Sequence, residues 1–455
     1  MTDWTKAAIA YIPSWLDHQM KLSEQPGCVI AIAHRGRIVL ERAYGQADAV
    51  AGLKMTPRHR FRVASHSKSF TAAGIMKLRE QGRLRLDDPV GRYVDGLHPD
   101  VADVTLAQAL SHSAGLIRDG LDAGQWQNLR PFLNEPELRA ALAAPPVIAA
   151  GTRLKYSNHG FGLIGLVIEA ITGEAYGSWV RREIVAASGL KETVADMPMP
   201  GNAPMVKGHS AKQPLGRRVL IPGDNPTHAL APATGFVSTA ADLARFFASL
   251  DPAANRSVLS PASRREMVRR HWHDAHSSME RHYGLGIMIG KVGDWEWFGH
   301  GGGFQSCISR TIVLPGRDLS VSILTNAVDG WANVWSDGIV HILRRFAAGG
   351  APSSKTRDWT GRWWSLWRPV DLVPLRDHVA VASPGLNNPF MDATEVRVTK
   401  RDIGTIRLAG GLASHGESAR LVRGRNGQVR EIWIGGEKLV SEAAARAALK
   451  RKYKN

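Results

Sequence analysis

The alternation of apolar and polar positions divides the chain into segments of distinct type. Residues 5–22 carry apolar side chains at helical spacing and predict an amphipathic helix. CVIAIAHRGRIVLERAYG reads as two strands joined by a turn at Arg35-Gly36. In FRVASHSKSFTAAGIMKLREQGRL, the density of Phe70, Ala73, Ile75, Met76 and Leu78 predicts a largely buried helix that stops at Gly82. Further helices are predicted over residues 105–111 and 158–172, and Ser238-Thr239 suit the cap of another that runs to residue 250. The pattern then returns to strands in YGLGIMIGKV, EWFGHG, QSCISRTIVLP and LSVSILTN, and residues 335–346 predict a closing helix.

Strands at both ends with helices between predict one sheet assembled from the two ends of a domain spanning residues 1–346. The fold class is α/β in the broad α+β sense, with an antiparallel sheet flanked by a helical region. The stretch AAGGAPSSKTRD, residues 347–358, reads as a linker. Beyond it, short alternating strands such as VRVT and TIRL, with turns at 402–404 and Asn426-Gly427, predict a small antiparallel β-barrel over 359–445. The final KRKYKN reads as a basic, frayed tail of a domain spanning 359–455. A length of 455 residues fits more than one core.

Composition excludes several classes. With 44% hydrophobic and 22% charged residues the chain is an ordinary globular one, not a disordered or fibrous one. No apolar run reaches the roughly 18–20 residues of a membrane helix. The opening MTDWTKAAIAYIPSWLDHQMKL lacks a secretory layout, because Asp3, Asp17 and His18 interrupt any apolar stretch. Two cysteines cannot build a disulfide framework, so a reduced, cytoplasmic setting is the expectation. The net charge of +17 raises the question of nucleic acid. About half of that excess lies beyond residue 350, where 19 Lys and Arg face 10 Asp and Glu. No zinc-finger spacing, RNA-recognition strand or basic zipper accompanies it, so no nucleic-acid partner is expected.

Three motifs in the first domain carry chemistry. In Ser65-His66-Ser67-Lys68, a helix opening at Ser65 puts Lys68 one turn later beside the hydroxyl, which as a nucleophile needs a neighbouring base. The helix start also aims backbone N–H groups at a developing oxyanion. In Tyr156-Ser157-Asn158, a tyrosine near a lysine is expected to have a lowered pKa and to accept a proton. Asn158 can donate to a substrate carbonyl and bridge to Lys68. In Gly299-His300-Gly301-Gly302-Gly303, glycines let a ligand lie along a strand beside an imidazole that titrates near neutrality.

In order and context, these segments resemble the serine β-lactamase and penicillin-binding-protein superfamily, in its class C and D-aminopeptidase branch. FRVASHSKSFTA resembles the nucleophile segment, TLAQALSHSAGL the following helix and turn, and LKYSNHGFGLIG the tyrosine segment. PATGFVSTAADLARF resembles a later helix, and FGHGGG the strand that carries Lys-Thr-Gly or His-x-Gly. The likeness spans roughly residues 25–345. The C-terminal part is similar to the lipocalin-like domain appended to some members, with Gly361-Arg362-Trp363 matching a G-x-W signature. The resemblance implies a β-lactamase-like mixed domain and an acyl-enzyme on Ser65. Lys68 and Tyr156 would share the acid–base work. Asn158, His300, Gly302 and Gly303 would hold substrate, with the Ser65 and Gly303 N–H groups as oxyanion hole. His300 stands where relatives carry a fixed positive charge, which disfavours recognition of a free carboxylate there.

These readings point to a serine hydrolase of small-molecule or short-peptide amides, D-aminopeptidase-like, without cofactor or metal. The alternatives are a carboxylic esterase, a weak β-lactamase or D,D-peptidase, and a non-catalytic binding protein. His271, His273, His276 and His282 invite a metal, but their polar, loop-like segment offers no evident supporting shell. Cys28 and Cys307 sit in apolar strands and read as inert thiols. His112 reads as a residue that holds the turn after its helix. Trp359, Trp363, Trp364 and Trp367 suggest core packing, a barrel plug or a domain interface. No G-x-S-x-G elbow, H-E-x-x-H or phosphate-binding loop supports another enzyme class.

Overall fold

Strand Gly27–His34 is buried along nearly its whole length, as a central strand covered on both faces must be. It pairs antiparallel with Arg37–Asp48 on one side and with Leu319–Thr325 on the other, so the two ends of this region meet in one sheet. The sheet continues through Cys307–Leu314, Trp295–Phe304 and Met288–Val292 and reaches nine strands, each pairing antiparallel. The Arg35-Gly36 turn uses two left-handed residues, the geometry that matches the twist of a two-residue hairpin. The computed structural model describes residues 1–213, 215–411 and 414–453.

The helix Ser67–Glu80 is buried on all sides through most of its length. Its Phe70 ring stacks on Phe246 at 3.8 Å and on Phe236 at 4.4 Å between centroids. Phe246 belongs to helix Ala240–Ser249, whose first turn is capped by Thr239. The helix Asn158–Thr172 has the span the sequence predicts; it starts at a Ser157 cap and ends at left-handed Gly173. Thr105 and Gln108 form a capping box for Leu106–Leu110.

The chain divides into two compact units, Gln25–Ser336 and a second that joins Met1–Glu24 to Asp337–Asn455. This division differs from the sequence boundaries. The helix Asp3–Leu22, read from sequence as part of the first domain, groups with the C-terminal unit. Within that unit Tyr11 donates to Asp371 at 2.9 Å, Trp15 Nε1 to the Leu386 carbonyl at 3.3 Å and Gln19 to the Pro384 carbonyl at 2.6 Å. Periodicity shows that such a helix has a partner but not which one.

The C-terminal unit contains a closed barrel of eight antiparallel strands, running from Gly361–Trp364 to Glu437–Val440. Trp359 is fully buried in its core among Val370, Leu372, Val396, Ile406, Leu421 and Ile432, and donates to the Arg401 carbonyl at 3.0 Å. Trp359 is thus core packing, whereas Trp367 is 86% exposed. Two expectations are corrected here. The linker reading of 347–358 fails at both ends: helix Ala332–Gly349 runs into it, and Thr356 is buried, donating to the Leu375 carbonyl at 2.7 Å. The tail through Lys452 is a helix, Glu442–Lys452, capped by Ser441; its alanine-rich sequence and cap were the available signals.

Among the described residues, no helix is long and apolar enough to cross a membrane. Among them, too, no group of three or more His, Cys, Asp or Glu is placed to hold a metal ion. His273 and His282 face each other across a short strand pair, rings 5.1 Å apart, while His271 reaches the Glu266 carbonyl instead. Cys28 and Cys307 are buried, and burial pushes both thiols up, Cys307 to about 11.

Candidate active site

Ser65 lies in a single 3-10 turn, Ala64–His66, that leads into the helix Ser67–Glu80. The preceding Ala64 has φ of +46°, a left-handed conformation that costs a non-glycine residue about 1–2 kcal/mol. Its surroundings hold it there. Ser67 Oγ donates to the Ala64 carbonyl at 2.6 Å and accepts from the Phe236 N–H at 3.0 Å. Val63 N–H donates to the Phe236 carbonyl, also at 3.0 Å. The strained residue turns the chain so that Ser65, half-buried, faces outward from the helix start.

Lys68 is fully buried one turn later. Its Nζ lies 3.2 Å from Ser65 Oγ, 2.7 Å from Asn158 Oδ1 and 2.9 Å from the Ala233 carbonyl. Burial holds its pKa well below the ordinary lysine value; Asp119 opposes that shift and Arg118 adds to it. The hydrogen-bond inventory gives the amine a direction. A neutral amine has two N–H groups and one lone pair. Asn158 Oδ1 and the Ala233 carbonyl can only accept, so they take both N–H groups and leave the lone pair for the Ser65 hydroxyl.

Tyr156 OH lies 2.8 Å from Ser65 Oγ, and Lys68 Nζ sits 4.7 Å from the centre of its ring. The sequence expectation of a lowered tyrosine pKa is reversed. Burial raises it, and the Ser65 hydrogen bond and the nearby Arg118 only partly offset that. The phenol stays protonated and is therefore a proton donor at Ser65.

Asn158 brings in residues the sequence reading did not single out. Its Nδ2 donates to Asp119 Oδ1 at 2.6 Å, an oxygen that also accepts from Trp126 Nε1 at 2.9 Å. Asp119 Oδ2 pairs with Arg118 Nε at 3.0 Å. The Asn158 amide is thus committed at both ends, to Lys68 and to Asp119, and Asn158 is buried. It holds the lysine in place from one end and is anchored by the carboxylate at the other. Arg118 and Asp119 lie forty residues away in a loop with no periodic signal; only their polarity beside the SHSAGL segment marked them.

His300 is also placed differently from expectation. It is 1% exposed, not at the edge of the cleft. Its Nδ1 meets the Gly301 carbonyl at 2.6 Å, which can only accept, so Nδ1 carries the proton and Nε2 accepts from Tyr283 OH at 2.9 Å. Burial holds the ring well below its usual pKa, and His66 and Lys68 add to that. The reason lies in the strand pleat. His300 and Gly302 share the sheet face that packs on the 3-10 turn. A Cβ on Gly302 would sit 2.1 Å from the Val63 carbonyl, so this glycine permits close packing of the strand beneath Ser65. Gly303 is exposed, and a Cβ there would meet only Ile308, at 3.5 Å. His112 does more than hold its turn. It adopts φ of +59°, its Nδ1 accepts the Ser157 N–H at 3.2 Å, and its ring packs 4.0 Å from that of Tyr156.

A family model described as Beta-lactamase matches residues 13–334. The chain belongs to the beta-lactamase family. The esterase EstB of Burkholderia gladioli is 29% identical over 198 residues, which are 40% of this chain and 50% of that protein. The chain spans between about a third and a half of the length of the curated relatives it matches. Among solved structures, the octameric penicillin-binding protein homologue from Pyrococcus abyssi superposes with a TM-score of 0.65 at 21% identity, covering 95% of this chain and all of that one. The D-amino acid amidase of Ochrobactrum anthropi SV3 superposes with a TM-score of 0.60 at 22% identity, covering 76% of this chain and 99% of that one. At these identities both likenesses speak to the fold, which is that of the β-lactamase and penicillin-binding-protein hydrolases. The barrel of this beta-lactamase-family chain lies beyond the matched residues.

Proposed function

We propose that this protein is a serine hydrolase that cleaves small amides or short peptides through an acyl-enzyme on Ser65. One observation carries the reading: Ser65 Oγ is within hydrogen-bonding distance of both Lys68 Nζ and Tyr156 OH. Lys68, as the free amine, takes the hydroxyl proton while Ser65 Oγ bonds to the scissile carbonyl carbon. The Ser65 and Gly303 N–H groups stabilise the oxyanion. Tyr156 donates its proton to the leaving nitrogen as the C–N bond breaks, and the Lys68 ammonium returns a proton to Tyr156. Water then attacks the ester, gives its proton to Lys68, and Ser65 leaves with a proton restored. The protonated state of Tyr156 favours amides over esters, because an amine leaving group needs an acid more than an alkoxide does.

The alternative of an esterase on the same site is supported by the partial likeness to EstB. A panel of matched nitroanilides and nitrophenyl esters separates the two. On the amidase reading, Tyr156→Phe lowers kcat/KM for anilides by on the order of 10²–10⁴ and for activated esters by much less. Equal losses on both, with esters the faster substrates in the wild type, favour the esterase.

A further inference from the structure

The His300 imidazole is buried and neutral and so gives a substrate anion nothing to bind. A cation of different origin stands at the mouth of the same site. The Arg118 side chain is 66% exposed, and its guanidinium carbon lies 5.5 Å from the centre of the Tyr156 ring. Its backbone is fixed, because the Arg118 carbonyl accepts the Asn158 N–H at 2.9 Å at the start of helix Asn158–Thr172. Its side chain is restrained by one ion pair. Nε is held at 3.0 Å by Asp119 Oδ2, and Asp119 is anchored by Asn158 and Trp126. Asp119 therefore uses the inner edge of the guanidinium. Among the described residues, no second carboxylate pairs with Arg118, whose ion pair runs through Nε and whose side chain is largely exposed, which leaves the Nη donors for another anion. Such a fork matches a carboxylate in a two-point contact, and holding it in advance reduces the entropy lost on binding.

We propose that Arg118 binds an anionic group, a carboxylate carried by the substrate beside the scissile bond. This rests on the serine-hydrolase reading above and adds a substrate class to it. Because Asp119 offsets the charge, recognition comes from directed N–H donors more than from net charge, and the effect is moderate. The +17 of the whole chain attracts any anion without regard to geometry, so charge state and position must be tested separately.

The test compares covalent labelling of Ser65 by matched fluorophosphonates that end, after short alkyl spacers, in a carboxylate or in its primary amide. Second-order labelling rates are read by intact mass on the full-length protein. In Arg118→Gln the carboxylate-to-amide rate ratio is expected to fall roughly tenfold at low salt. Arg118→Lys should retain part of the preference but lose the two-point contact, and raised salt should narrow the wild-type ratio. An unchanged ratio in Arg118→Gln overturns the proposal. Equal slowing of both probes also overturns it and assigns Arg118 to holding Tyr156 and Asp119. Failure of both probes to label wild-type Ser65 would count against the hydrolase reading instead, which keeps the two failures distinct.

Discussion

Asn158 Oδ1 accepts a hydrogen bond from Lys68 Nζ at 2.7 Å, while the other end of the same amide is tied to Asp119. The carboxylate thereby fixes which end of the amide faces the lysine, and so fixes the direction of the lysine lone pair. On the proposed mechanism, the chemistry at Ser65 draws on that chain of three residues.

The pH dependence of Ser65 acylation follows from this arrangement. The rate should rise with pH as Lys68 loses its proton, with the limb well below the ordinary lysine value of about 10.4, because burial disfavours the ammonium. Asp119 favours the ammonium, so Asp119→Asn should move the limb to lower pH while lowering the plateau. Labelling rates across pH in both proteins read this directly. A limb that moves upward in the variant contradicts the assignment of Lys68 as base.

Gly302→Ala should disturb Ser65 from below. The added methyl would sit 2.1 Å from the Val63 carbonyl, which the backbone cannot yield without moving the strained Ala64. Overpacking of this kind costs about 1–3 kcal/mol. Urea titration should show that loss, accompanied by slower Ser65 labelling. Gly303→Ala meets open space and ordinary contact only, so its folding cost should be small.

Much of this was legible in the sequence, for identifiable reasons. Ser65, Lys68, Tyr156 and Asn158 stand in short motifs at helix starts, where spacing and capping are local properties. His300 was found in its motif, but its burial was not. The run of glycines around it erases the apolar alternation that normally tells the two faces apart. Asp119, Arg118 and the Ala233 carbonyl were missed because they reach the site through loops and long-range packing. The first helix was predicted, but its partner lies more than 300 residues away in the chain.

The buried imidazoles predict acid sensitivity. His66, His112 and His300 all have depressed pKa values, chiefly through burial, with His66 lowered to about 3. In the unfolded chain each takes up a proton near pH 6.5, while the folded form resists it. The contribution of these three rings is therefore complete above about pH 6.5 and is lost as pH falls from there toward the folded values. The loss is about 1.4 kcal/mol per pH unit for each histidine. Denaturant titrations between about pH 7.5 and 5.5, above the range where carboxylates titrate, should show falling stability. A flat profile would mean that these rings gain protons freely in the folded state.

Covalent capture at Ser65 tests the central claim most directly. Wild-type protein incubated with a fluorophosphonate should gain the mass of one phosphonyl group, located by peptide mapping on the Ser65 peptide. Ser65→Ala should fold normally, gain no mass and lose turnover. Labelling that persists in Ser65→Ala, or that maps to another residue, would contradict the account.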